Sequence, residues 1–233
     1  SLTKGRFESP LTPPQFCMVL RKHIQSAVIE KIYQMDWERM IAFDLRGRNE
    51  IGEVTTFTMI FETMGKNSNI ILLDNEGTIL DAIKRVGANT NTVRQFQPGI
   101  PFVMPPAQNK TPLEALTEDT LSTAFLNLGL QKTVSKALLQ TVAGLGPQTV
   151  TELLVRANIA PDTRVEYLGE IDYAKLYRAC LDLLETAERR SWTPTLVFDD
   201  KELFAFAPFA LKQFSSFRQE ERDDMMDLLE DFY

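Results

Sequence analysis

Apolar side chains fall at Phe16, Leu20, Ile24 and Ala27, a spacing near four that predicts an amphipathic helix over 14–26. Pro13 and Pro14 suit its first turn, with Thr12 as the N-cap. The period then changes to two. Ile29, Tyr33 and Met35, followed by Ile41, Phe43 and Leu45, alternate with polar residues around a break at Asp36 and predict strands over 29–35 and 38–46. "VTTFTMIFETMG" alternates through Phe57, Met59 and Phe61, and "NIILLDNEGTILDAIKRV" reads as strand, turn at 75–77, strand. Residues 29–86 are therefore expected to form an antiparallel meander with one buried face.

"FQPGIPFVMPPAQNKTP" is proline-rich and irregular, and marks a boundary near 105–112. Beyond it the pattern is helical. Thr117 heads a helix with the apolar stripe Leu121, Phe125 and Leu128, closed by Gly129; a second helix is predicted over 131–142 and a third after Gly146. Pro161 separates these from "DYAKLYRACLDLLETAERR", a helix with the stripe Leu176, Cys180, Leu183 and Ala187. "TPTLVFDDKELFAFAPF" returns to strands, and the acidic tail reads as helix. No internal repeat is visible. The expected class is α+β: a β-rich domain over 1–110, a helical domain over 111–190, and returning strands with an acidic helix over 191–233.

With 233 residues, 44% hydrophobic and 24% charged, the chain can bury a core without disulfides or structural metal. Its longest apolar runs fall far short of the ~20 residues of a membrane span, so no membrane partner is expected. "SLTKGRFESP" has no apolar signal-peptide core and does not begin with Met, so the chain is expected to be part of a longer protein. Cys17 and Cys180 form no CxxC pairing, which argues against zinc and for a reducing compartment. The sole histidine, His23, excludes multi-His metal sites and argues against a His-based triad. No Walker loop, GxSxG elbow or metal-ligand cluster is present, so neither catalysis nor a cofactor is expected.

The formal charge of −7 and a pI near 4.9 argue against a non-specific DNA binder. The last sixteen residues hold seven acidic and two basic side chains, so the remainder is near neutral. It carries local basic clusters at Arg21 and Lys22, Arg46 and Arg48, Lys84 and Arg85, Lys132, and Lys136. Each is explained equally simply as a solvated face; a nucleic-acid partner would need them arranged into a shaped patch.

The most specific local pattern is "LLQTVAGLGPQTVTELL", where a tight turn with Gly144 and Gly146 joins two helices. Glycine permits positive φ and close backbone approach. The next helix N-terminus offers unpaired N–H groups to phosphate, although Pro147 removes one, and Lys136 is expected one turn before the loop. This is the helix-hairpin-helix pattern; an ordinary αα-hairpin with a glycine turn fits it as well.

The block 113–156 resembles the helix-two-turn-helix module of the formamidopyrimidine-DNA glycosylase (MutM) fold, which joins a β-sandwich to such helices. The glycosylase's N-terminal proline and cysteine zinc finger have no counterpart, so its activity is not implied. A second resemblance covers nearly the whole chain. "PPQFCMVLRKHI", "RNEIG", "ETMGKNSNIILLD", "QPGIPFVMPPAQ" and "DLLEDFY" are similar, in order, to the NFACT-N region of the NFACT family. That region is MutM-like without the catalytic residues. The resemblance implies an antiparallel β-sandwich lacking its first strands, a helical module, and a chain ending before a long coiled coil.

It also implies ribosome-associated quality control. Members of the family bind the large ribosomal subunit obstructed by peptidyl-tRNA, recruit tRNA (alanyl-tRNA in bacteria) and support C-terminal tailing of stalled chains. The family's Asp-Arg contact pair falls on Glu38 and Arg39, where Glu38 departs conservatively. A second patch falls on Glu62, Thr63 and Met64, where Thr63 replaces a typical apolar residue. With Lys136, Gly144 and Gly146 these make the candidate tRNA-binding set. The plain physical readings are a strand-end ion pair worth about 0–1 kcal/mol for Glu38 and Arg39, and core packing for Met64. Dipole and capping at a helix C-terminus account for His23, and turn building accounts for Asn67, Ser68 and Asn69. The leading expectation is a cytoplasmic RNA-binding module. An older family name implies instead a fibronectin-binding adhesin at the cell surface, and the hairpin alone would also fit a DNA-binding protein.

Overall fold

Helix α1 (Gln15–Ile24) starts directly after Pro14, its N-cap, so Thr12 lies outside the cap that the sequence suggested. The structure, a computed structural model, describes residues 10–35, 38–89 and 94–233; the expected break at Asp36 lies outside them. The described residues fall into two compact units, 10–108 and 109–233.

In the first unit, β1 (Val28–Gln34), β2 (Met40–Arg48), β3 (Val54–Glu62), β4 (Asn69–Leu73) and β5 (Ile79–Ala82) form one antiparallel meander in the order β1-β2-β3-β4-β5. The β2–β3 register pairs Met40 with Glu62 and Leu45 with Phe57. Because side chains alternate across the pleat, Met40, Ala42, Ile60 and Ile71 share one face, where Phe96 joins their core. Leu45, Phe57 and Leu72 share the other, where Phe16 of α1 covers them. The expected single buried face is thus corrected to two. The cause is β4, where Ile71, Leu72 and Leu73 are consecutive and all buried. The turn 75–77 is held by the Asp74 carboxylate, which accepts the Glu76 and Thr78 amides at 2.9 and 2.8 Å.

The second unit holds α2 (Glu118–Leu128), α3 (Val134–Thr141), α4 (Pro147–Arg156) and α5 (Glu170–Glu188). Thr117 caps α2 by accepting the Thr120 amide, and Gly129 ends it at φ 111°, as the sequence indicates. Helix α3 is shorter than predicted, because Thr133 bridges Arg164 in extended conformation. Leu121, Phe125, Leu176, Cys180 and Leu183 meet in one core. Burial pushes the Cys180 thiol up to about 12.

Three further strands, β6 (Thr195–Asp199), β7 (Glu202–Ala207) and β8 (Arg218–Glu221), form a sheet in the order β7-β6-β8. They share the helical core through Val197, Ala205 and Ala207. The acidic tail is therefore strand before it is helix: only Met225–Phe232 is helical (α6), capped by the Asp224 carboxylate. The class is α+β.

Candidate nucleic-acid interface

The antiparallel register decides which loops meet. The segment before β2 and the segment after β3 leave the sheet at the same end, because Met40 pairs with Glu62. The link is direct: the Thr63 amide and hydroxyl both donate to the Arg39 carbonyl, at 2.9 and 3.1 Å. Two sequence patches more than twenty residues apart are thereby joined. The Arg39 side chain is exposed.

Glu38 is half-buried beside it. Its carbonyl accepts from the Gln34 side-chain Nε2 at 2.9 Å, and its Oε1 accepts from the Gln108 side-chain Nε2 at 3.3 Å. A carboxylate has about four acceptor sites, so Glu38 keeps capacity for a donor on a ligand. Thr63 is exposed, and its hydroxyl ties the two loops together. Met64 precedes the single turn of 3-10 helix at Gly65–Asn67 and packs partly buried against the Met40 core.

Glu62 has a different place from the expected one. It is 3% exposed, and its carboxylate pairs with Arg94 at 2.6 and 3.4 Å. Arg94 also donates to the Val103 carbonyl at 2.8 Å and lies over the Phe96 and Phe102 rings. Glu62 therefore supports the loop from beneath and presents no carboxylate to a ligand. Arg94 went unrecognised in the sequence, where it stands thirty-two residues away with no periodic signal.

Asn69 is also buried, and its side chain bonds the backbone of Lys84 in both directions, at 2.9 Å each. The β5 exit is thus held at the same sheet end. Beside it, Arg85 forms a two-point pair with Asp81 at 2.8 and 3.0 Å. Burial alone would raise the Asp81 carboxyl, but bonds from Arg85 and the Ala82 amide, with the Arg85 charge, hold it below the usual range. His23 sits away from these residues, in the last turn of α1, with its ring 5.8 Å from Phe57. Burial and the Lys22 charge lower its proton affinity.

In the second unit, Gly144 takes φ +76°, a value that favours glycine. Gly146 does not need to be glycine: its φ is −98°, and a Cβ there would meet nothing within 4 Å. The Ala143 amide is engaged by the Thr111 carbonyl at 2.9 Å. Lys136 is exposed in the first turn of α3, about 7.5 Å of helical rise before the last residue of that helix. That separation corrects the expectation of Lys136 one turn from the loop. No group of three or more His, Cys, Asp or Glu among the described residues is arranged to hold a metal ion. No described helix is long and apolar enough to cross a membrane.

This chain belongs to the NFACT family: the model of its N-terminal and middle domains matches residues 1–233. It is similar to the Rqc2 homolog RqcH of Bacillus subtilis, 33% identical over 237 residues that span all of this chain and 38% of that protein. A protein of the same name from Streptococcus suis is 39% identical over 153 residues, covering 65% of this chain and 27% of that protein. The chain thus spans well under half the length of these relatives. Among solved structures, it resembles the fibrinogen binding protein of Staphylococcus aureus, with TM-score 0.78 and 28% identity over 95% of this chain and 76% of that one. It also resembles the N-terminal part of the fibronectin/fibrinogen-binding protein of Streptococcus suis, with TM-score 0.71 and 30% identity over 99% of this chain and 76% of that one.

Proposed function

We propose that this chain is the tRNA- and large-ribosomal-subunit-binding module of a cytoplasmic ribosome-associated quality-control factor, one that recruits alanyl-tRNA for C-terminal tailing of stalled nascent chains. It acts by binding, with no catalytic residue of its own. The observation that carries this reading is the junction of Arg39 and Thr63, which gathers two separate sequence patches at one sheet end with a guanidinium in solvent. Arg offers a planar five-donor fork to phosphate oxygens or base edges. Glu38 beside it accepts from a base amine or orients the fork. An acidic chain can hold a polyanion this way because exposed charges more than about 10 Å apart are largely screened at 0.1 M salt, so the local patch outweighs the net charge. The similarity to proteins named RqcH supports the same reading.

Filter binding of tRNA at fixed salt, with duplex DNA as competitor, tests it. The expected result is binding that duplex DNA displaces poorly; equal displacement favours a helix-hairpin-helix DNA binder instead. The names of the solved neighbours, a fibrinogen binding protein and a fibronectin/fibrinogen-binding protein, support a second reading, attachment to fibronectin or fibrinogen at the cell surface. Saturable binding of immobilised fibronectin by the chain, with no retention of tRNA, would favour it.

A further inference from the structure

We infer that Lys66 and Lys84 form a clamp on the phosphodiester backbone of the RNA, at the same sheet end as Arg39, with Lys84 held in place by Asn69; this rests on the tRNA-binding reading above. The two lysines come from different hairpins. Lys66 lies in the turn at Gly65–Asn67 between β3 and β4, and Lys84 follows β5. The Lys84 ammonium donates to the Lys66 carbonyl at 3.1 Å, which places the two residues side by side. Both side chains are exposed.

Two observations make this more than a pair of surface lysines. The first is what fixes Lys84. Asn69 is 4% exposed, and its amide imitates a backbone peptide unit: Nδ2 donates to the Lys84 carbonyl, and Oδ1 accepts the Lys84 amide. The Oδ1 also takes the Ile70 amide at 3.0 Å. A buried polar side chain with all these bonds is a rigid brace, and it extends the β4–β5 pairing two residues past the end of β5. The second is the local charge balance. The two buried carboxylates of this sheet end are already neutralised, Glu62 by Arg94 and Asp81 by Arg85. Among the described residues no ion pair engages Lys66 or Lys84, and Arg39 is exposed at the same end of the sheet. The Lys84 ammonium uses one of its three donors on the Lys66 carbonyl and keeps two. Two lysines engaged by no carboxylate among the described residues suit a chain of phosphates, which is read through charge and spacing and not through base identity.

The test is the salt dependence of tRNA binding by the full chain and by Lys66→Ala, Lys84→Ala, the double variant, and Lys66→Arg with Lys84→Arg. Each phosphate contact contributes about 0.7–0.9 to the slope of log affinity against log salt. Each alanine variant is expected to bind three- to tenfold more weakly at 0.1 M salt and to lose about one unit of slope, with an unchanged melting temperature. The arginine pair should retain the slope. Slopes and affinities equal to the parent in the double variant, while Arg39→Ala still weakens binding, would overturn the clamp and leave the tRNA reading standing. Failure of the unmodified chain to bind tRNA would overturn both. Displacement of tRNA by poly-glutamate at equal charge concentration would overturn the assignment to RNA.

Discussion

Thr63 gives both its amide and its hydroxyl to the carbonyl of Arg39, so the loop after β3 fixes the backbone of the residue whose side chain faces solvent. Rigid backbone under a solvent-exposed guanidinium limits the entropy lost when the fork engages a ligand.

Arg39→Ala should therefore weaken tRNA binding about tenfold at fixed salt, the scale of one charge-assisted contact, with no change in melting temperature. Thr63→Val removes the hydroxyl bond and keeps the amide bond. It should cost about 0.5–1.5 kcal/mol of stability and weaken tRNA binding less than Arg39→Ala. Filter binding and thermal denaturation of the same preparations check both.

Glu62 and Arg94 should behave in the opposite way. Removing one partner of a buried ion pair leaves a buried charge alone and costs about 3–5 kcal/mol. Glu62→Ala should lower the urea midpoint sharply, and any loss of tRNA binding should follow the unfolded fraction. A variant that is fully folded and yet binds poorly would restore Glu62 as a contact.

Asp81 gives the first unit a pH dependence. Its carboxyl is held below the ordinary value of about 3.9 by the Arg85 and Ala82 bonds, which outweigh its burial. The folded state therefore binds this proton less readily than the unfolded chain. The stability it contributes is complete above about pH 4 and is lost as pH falls through the lowered folded-state value. Asp81→Asn should show a flatter decline below about pH 4 than the parent, read by denaturant titration at stepped pH.

The hairpin glycines should differ. Gly144→Ala forces a side chain into the left-handed region and should cost about 1–2 kcal/mol. Gly146→Ser, at the N-cap of α4 with extended backbone and open space, should be neutral or stabilise by a few tenths of a kcal/mol. Thermal denaturation separates the two.

Much of this fold was legible in the sequence. Alternation through Phe57, Met59 and Phe61 marked β3, and Thr117 with Gly129 bounded α2, because those signals are local. The second buried face was not legible, since what covers Leu72 is Phe16, far away in sequence. Strand β8 was missed because "RQEE" carries no apolar alternation and is recruited by pairing with β6. Arg39 entered the candidate set through the family resemblance, and its exposure fits that proposal. The burial of Glu62 could not, because it depends on Arg94 arriving from another loop.

Ultraviolet cross-linking of tRNA to this chain, followed by peptide mass spectrometry, tests the central claim most directly. Cross-links should concentrate on peptides carrying Arg39, Thr63, Lys66 or Lys84 and should diminish in Arg39→Ala. Cross-links confined to other surfaces, or none above the unirradiated control, would contradict it.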